Sequence, residues 1–454
     1  MKVWHVVATA EGASWCFEQL QALRDNHGVE VAGVLSAGQG GLPARFTAHD
    51  MPFYVADFVL WGREPLRPIR SILRMALLFR RHRVTVVQTH LLESMFFGRL
   101  AAWLADVPVR LAMITGPVLL ESPASRRRER WTSWMDTGLI PSCRLSHALY
   151  RQLGVKEDRL HLIHYGIDQR RFEPALAQTA GLRAQYGWPT ETRIIAMVAI
   201  FYGVMAPSPW CPPYLFHKAI KGHEDLIRAM PDILRVYPDV KCVLVGYGWA
   251  IPGANLMQKM QQLVEELGLT DSIKFTGKRD DIADIYRDIE ISVQAPLSEN
   301  LGGSVESLMM AKPLVATRVG GLVDTVMDGK TGVLVEPENP RDLAAGILKL
   351  LRDPEWAREL GKTGRAHMLN GFTITANARA LDCLYRDQRA KNMGGHRAWI
   401  SVLRLLAVMP IFLLIAGRNV LANLRPLPPP LARLRRAPRK LVRIVARIFI
   451  RKGA

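Results

Sequence analysis

Two glutamates stand on either side of a Gly-Gly turn in Ser298-Glu299-Asn300-Leu301-Gly302-Gly303-Ser304-Val305-Glu306, and an apolar run follows as far as Lys312-Pro313. A carboxylate accepts hydrogen bonds from hydroxyl groups and can receive two at once. The glycines break the chain. The run behind them predicts a helix that starts at the turn and ends at Lys312-Pro313, just before a buried strand. Backbone N–H groups of Gly302, Gly303 and Ser304 would then emerge from a helix N-terminus, where unpaired donors and the positive end of the helix dipole suit a phosphate. Acceptors for hydroxyls beside donors for phosphate suit a nucleotide-sugar, which carries a diphosphate between two polyols.

Such a turn needs a rigid frame, and the chain supplies one. Apolar runs at 2–8, 29–35, 84–89, 109–114, 193–199, 241–245, 273–275, 289–294 and 313–317 read as buried strands and alternate with helical patterns. That alternation predicts an α/β fold with parallel sheets. In such folds ligands meet the carboxyl ends of the strands. His90 closes the run 84–89 and is expected at a site on that ground, with a structural histidine as the other reading. Glu11-Gly12-Ala13 follows the first strand, and Gly12 would let backbone approach a phosphate or sugar, or simply make a tight turn.

The 454 residues suffice for two or three domains, and 49% hydrophobic with 22% charged residues describes a globular protein. Met1–Val7 reads as a first strand, with no cleavage site behind it, so no signal peptide is expected. Five scattered cysteines in no metal spacing point to a reducing cytoplasm and no zinc. No Asp-x-Asp motif precedes a plausible metal site, and Asp280-Asp281 follows a turn. No metal and no cofactor are expected.

The turn and its surroundings resemble the retaining glycosyltransferases of family four (glycosyl transferases group 1), which have the GT-B fold. Their pattern is a Glu, seven residues, a second Glu, Ala-Met-Ala, and Pro-Val-Val-Ala-Thr. Glu306 takes the second place. The first falls on Ser298, with Glu299 one residue on. The likeness continues through Val319-Gly320-Gly321 and Asp328-Gly329-Lys330-Thr331-Gly332. It implies two Rossmann-like domains facing across a cleft: 1–174 on the acceptor side, 180–372 binding the nucleotide-sugar, and 373–392 crossing back, with Tyr165–Phe172 as the hinge strip. On this resemblance Glu306 accepts from both ribose hydroxyls and Glu299 from the transferred sugar. Lys221, in Lys221-Gly222, neutralises the diphosphate. Gly246-Tyr247-Gly248 resembles a donor-side turn. Phe275-Thr276-Gly277-Lys278 resembles the turn whose backbone meets the base, which brings Lys278 to the donor. The family's Gly-Arg-Leu run is replaced by Ala199-Ile200-Phe201. Lys218 or Arg279 could supply the missing cation, or activity could be impaired. The insertion Tyr202–Phe216 could form a lid, an acceptor contact or a surface loop.

The net charge of +19 is uneven: 14 of the 60 Lys and Arg lie from Lys391 onward with no Asp or Glu among them, leaving 46 basic against 41 acidic residues elsewhere. In this tail, 395–454, the apolar stretch Trp399–Gly417 is at the short end for a span, which needs about 20 residues. A shallow insertion fits it better, and Leu431–Lys452 reads as a basic amphipathic helix lying on a membrane. A helix from about Pro68 to Arg81 is expected to bury Ile69, Ile72, Leu73, Ala76 and Leu77. Its opposite face would offer Arg67, Arg70, Arg74 and Arg81 to an anionic membrane surface. Arg126–Arg130 with Trp131 and Trp134 would add to it. No nucleic acid is expected. The sequence thus leads to a metal-independent transferase at the cytoplasmic face, peripheral or monotopic. It would move a sugar from a nucleotide-diphosphate sugar to a lipid-linked acceptor or growing cell-surface glycan. Alternatives are another GT-B enzyme, such as an epimerase or soluble disaccharide synthase, and a sugar-nucleotide-binding scaffold.

Overall fold

The computed structural model describes residues 1–38, 40–62, 64–392 and 398–423. Two six-stranded sheets organise the chain. The first contains β1 (Lys2–Val7), β2 (Glu30–Ser36), β3 (Phe53–Ala56), β4 (Val86–His90), β5 (Val109–Met113) and β6 (Gly138–Ile140) in the order β3-β2-β1-β4-β5-β6. The second contains β7 (Ile194–Val198), β8 (Lys241–Val245), β9 (Ile273–Gly277), β10 (Ile291–Gln294), β11 (Leu314–Thr317) and β12 (Val333–Val335) in the order β12-β11-β10-β7-β8-β9. All pairings between these strands are parallel. Helices cover both faces of a doubly wound parallel sheet, so its central strands bury both sides. This is why β1 and β7 read as continuous apolar runs rather than as alternation.

Both sheets share one winding. The first strand of each lies in the middle, and the order reverses between β1 and β4, and again between β7 and β10. The reversal separates the loops leaving two neighbouring strands and opens a crevice at their carboxyl ends.

Contacts divide the chain into two units. One holds Met1–Ile114, Arg127–Ile140 and the described residues from Leu381; the other holds Thr115–Arg126 and Pro141–Ala380. In the first, Trp4, Val6, Val34, Ile72, Phe79, Phe97 and Leu100 share a core. In the second, Ile195, Met197, Leu226, Leu244, Val293 and Ile347 share another. The hinge strip pairs with the chain entering the crossing helix: the Ile167 N–H donates to Phe372 O at 3.0 Å, and the Ile374 N–H to Ile167 O at 2.8 Å. The crossing helix spans Ile374–Asn392.

The expected basic helix is present as Arg67–Arg81, but its buried stripe is Pro68, Ser71, Ile72, Met75, Ala76 and Phe79. Leu73 and Leu77 are exposed, not buried. The packed stripe follows a three-one-three-one-three spacing, which turns Leu73 and Leu77 toward the arginine side. The apolar stretch 399–417 lies in the helix Ala398–Asn423. Val408, Phe412 and Ile415 of this helix join the core of the first unit. Among the described residues no helix is long and apolar enough to cross a membrane. The expected helix Leu431–Lys452 lies outside the described residues.

Candidate active site

The donor residues expected from sequence collect at the carboxyl edge of the second sheet. Lys221 is on the loop leaving β7, Gly246 follows β8, Lys278 follows β9, and the 298–306 turn follows β10. Lys221 and the turn therefore leave the two strands between which the order reverses.

The turn is held by close backbone approach. Gly222 has φ +72, and a Cβ there would lie 1.8 Å from Ala295 O. Only glycine fits, and this fixes Lys221 beside the end of β10. Gly320 has φ +53, with the same consequence against Glu299 O at 1.9 Å, while the Gly321 N–H donates to that carbonyl at 3.1 Å. Lys221 Nζ donates to Glu299 Oε2, and Glu299 Oε1 accepts from the Asn300 N–H at 2.9 Å. Burial alone would pull the Lys221 ammonium down, but the charge and hydrogen bond of Glu299 outweigh it and hold its pKa above the ordinary value. Nζ also lies 5.6 Å over the Tyr202 ring. The two residues expected to divide diphosphate and sugar between them are thus one ion pair.

The helix after the turn is short, Ser304–Met309, with Glu306 in its first turn. Buried Tyr286 packs beside it. Its hydroxyl donates to Gly303 O at 3.3 Å, and burial followed by the Glu306 charge pushes the phenol well above its ordinary range. Ser304 is fully buried. Its N–H donates to Leu301 O at 3.3 Å, and its hydroxyl contacts Leu301 O and Thr325 Oγ1. Ser304 therefore ties the turn together, and the amides facing outward in the sequence reading narrow to those of Gly302 and Gly303.

Neither substitute for the missing arginine is loose. Lys218 pairs with Glu338 at 2.6 Å, and Arg279 with Asp281 through Nε at 2.7 Å. Phe201 turns into the core and stacks on His223, with ring centroids 3.8 Å apart. The insertion is built into the second unit: Tyr214 Oη donates to Glu121 Oε2 at 2.7 Å, Ser298 Oγ donates to the same oxygen at 3.1 Å, and Leu215 packs with Cys211 and Leu297. It stands beside the 298–306 turn as an ordered wall. Lys278 is exposed, 6.0 Å from the Tyr247 ring, and Gly246 donates its N–H to Gly277 O at 3.2 Å.

Gly12 and His90 occupy the reversal point of the first sheet, after β1 and at the end of β4. Gly12 has φ +67 with open space around it. His90 is fully buried. Its Nε2 lies 3.2 Å from His5 Nδ1, and Trp15 packs against its ring at 5.0 Å. Burial, then the neighbouring His5, pushes the imidazole well below its ordinary pKa, so it is neutral. His5, Cys16 and His90 hold their ligand-type atoms within 4.8 Å of one another. The cluster is closed by hydrogen bonds from Tyr385 Oη to Gln88 Oε1 at 2.7 Å and between His5 Nε2 and Tyr385 Oη at 3.1 Å.

Sequence reasoning missed Tyr202, Tyr286, Glu121 and the role of Gly320-Gly321. The glycine pair was visible within the family likeness. The others carry no local signal, because their neighbours are remote in the chain.

Two family models match: "Glycosyl transferases group 1" over residues 215–367 and "Glycosyl transferase 4-like domain" over residues 11–166. The chain is 28% identical to the D-inositol 3-phosphate glycosyltransferase of Corynebacterium jeikeium, over 52% of this chain and 54% of that protein. It is 29% identical to that of Streptomyces bingchenggensis, over 56% and 52%. It spans about half the length of these curated relatives. A glycosyltransferase from Rickettsia africae superimposes with TM-score 0.71 at 19% identity, over 85% of this chain and 98% of that one. Anabaena HepE in complex with UDP does so with TM-score 0.71 at 18% identity, over 85% and 100%.

Proposed function

We propose that this chain, which belongs to the group 1 glycosyl transferases and has the GT-B fold, moves a sugar from a nucleotide-diphosphate sugar to an acceptor with retention. The observation that carries the reading is the Lys221–Glu299 pair at the reversal of the second sheet, with Glu306 in the first turn of the short helix that follows. A diphosphate seated there meets the amides of Gly302 and Gly303, and Lys221 turns to it from Glu299, so charge developing on the leaving nucleotide is stabilised. Glu299, freed as Lys221 turns to the phosphate, accepts from hydroxyls of the transferred sugar. Glu306 accepts from the ribose. Gly246 and Lys278 border the nucleotide, and Gly12 leaves the backbone after β1 open to a phosphate or sugar. UDP is bound by Anabaena HepE, which supports a nucleotide partner for the same fold.

Neutral, buried His90 serves the acceptor side by holding the end of β4. A donor phosphate oxygen takes the acceptor proton, so no side-chain base is required. Lys221 supplies the positive charge at the diphosphate, and the reaction is metal-independent. The acceptor is lipid-linked or a growing cell-surface glycan at the inner membrane face. The apolar helix Ala398–Asn423 and the basic tail support that location.

The test is release of nucleoside diphosphate from UDP-, GDP- and ADP-sugars, with and without lipid extract, comparing wild type with Glu306→Ala. Lipid-dependent release from one donor, lost in the variant, is expected. Release from none, while one still binds, sinks the reading. It would favour a binding scaffold, a role consistent with Lys218 and Arg279 both being committed to carboxylates.

A further inference from the structure

The helix Ala398–Asn423 has two apolar faces. Val408, Phe412, Ile415 and Asn419 turn inward. Asn419 secures the helix through its amide, which donates to Leu60 O at 3.3 Å and accepts from the Gly62 N–H at 3.4 Å. Leu406, Met409, Leu413 and Val420 form a second stripe about 120° away around the helix. They are left 39–65% exposed. A contiguous exposed apolar stripe on a folded unit marks a contact surface.

The helix also carries an arginine near each end, Arg404 and Arg418, and both stand about 150–170° around the axis from the outward stripe. At one end Arg404 pairs with Asp106 and lies 5.4 Å from the Trp103 ring, which packs edge-on against exposed Trp134 at 5.3 Å. At the other, Arg418 lies 3.9 Å over exposed Trp61. The two arginines are about 21 Å apart along the axis at 1.5 Å per residue. These contacts pin the helix to its own unit and leave the apolar stripe outward, an arrangement suited to a helix lying in the membrane interface. The helix contains no Asp or Glu, and the 31 residues after it carry 10 Lys and Arg and no acid. This charge selects an anionic partner.

We propose that the outward stripe Leu406–Met409–Leu413–Val420 docks this unit in the plane of an anionic lipid bilayer, the helix parallel to the surface. The inference rests on the membrane-side reading of the activity and names the surface that makes it so. It places the helix as a rigid shelf rather than a span: its other face is already the core of the unit, and a crossing would tear that core open.

The test is flotation of the full chain with vesicles of phosphatidylcholine alone and of equimolar phosphatidylcholine and phosphatidylglycerol, comparing wild type with Leu406→Glu/Leu413→Glu. Wild type floats with the anionic vesicles and much less with the neutral ones. The double variant, with an unchanged melting curve and unchanged affinity for nucleoside diphosphate, partitions about tenfold less, equivalent to about 1.4 kcal/mol. Undiminished flotation of the variant overturns the proposal, because the basic tail alone would then account for binding. Equal flotation on both vesicles overturns the anionic partner. A lipid-free wild-type dimer that the variant dissolves would assign the stripe to a second copy of the chain instead. Sugar transfer is read separately: normal flotation without release from any donor leaves this surface standing and removes the enzymatic reading.

Discussion

Replacing Lys221 by methionine removes one charge of the Lys221–Glu299 pair on which the proposed donor site depends. The side chains of Lys221 and Glu299 are only 20% and 14% exposed, so the partner left behind is a mostly desolvated ion. Breaking a fully buried pair costs about 3–5 kcal/mol. Discounted for the remaining exposure, Lys221→Met and Glu299→Gln should each lose about 2–3 kcal/mol. In Lys221→Met/Glu299→Gln neither charge remains. That variant should lie within about 1 kcal/mol of wild type, a coupling of about 3 kcal/mol or more. Urea unfolding read by hydrogen exchange across residues 291–317 reports the second unit separately. Binding gives the complementary reading. Nucleoside diphosphate should bind Lys221→Met about tenfold or more weakly. It should bind Glu299→Gln at least as tightly as wild type, because Lys221 no longer has to leave a carboxylate. Coupling below about 0.5 kcal/mol, the limit for independent sites, would refute the pair as an energetic unit. Unchanged diphosphate affinity in Lys221→Met would refute its role at the phosphate.

Glu306→Gln should weaken donor binding about tenfold to a hundredfold, the worth of a hydrogen bond to a charged group. Titration calorimetry checks this, with melting unchanged within about 0.5 kcal/mol. Gly222→Ala should cost more than about 2 kcal/mol, because its Cβ would meet Ala295 O at 1.8 Å. Gly12→Ala, with open space around it, should cost only the left-handed backbone penalty of about 1 kcal/mol. Comparing the two melting curves separates clash from strain. Burial lowers His5 and His223 to pKa about 3 in the folded chain. The unfolded chain binds those protons near 6.5, so their contribution is complete above that pH and is lost as pH falls toward 3. Each should remove about 1.4 kcal/mol per pH unit in that window. Urea midpoints between pH 7 and 4 check it, and His223→Gln should flatten the slope.

Nine strands were legible as apolar runs, because a strand buried on both faces must be apolar throughout. The three that were not are β3, β6 and β12, of three or four residues each. They lie at sheet edges, where a short strand borrows its pairing from a neighbour. Glu299, Glu306 and Lys221 were legible because turns, glycines and a helix start mark them locally. The burial of Leu73 and Leu77 was misread because helical spacing alone defines two adjacent stripes. Which one packs depends on the neighbour, here the core that also receives Val408 and Phe412.

The sequence by itself determined most of the elements, the parallel α/β class and the 298–306 turn, since these follow from local periodicity, turn chemistry and a long family likeness. Tertiary structure decided that Lys221 and Glu299 are one pair, although 78 residues separate them. It also decided that Ser304 is a tie within the turn, that Lys218 and Arg279 are already committed to carboxylates, and which face of the 398–423 helix remains open. Each of these is a choice of partner. Charges and apolar faces have many possible partners along a chain, and only the packed fold brings one of them within reach.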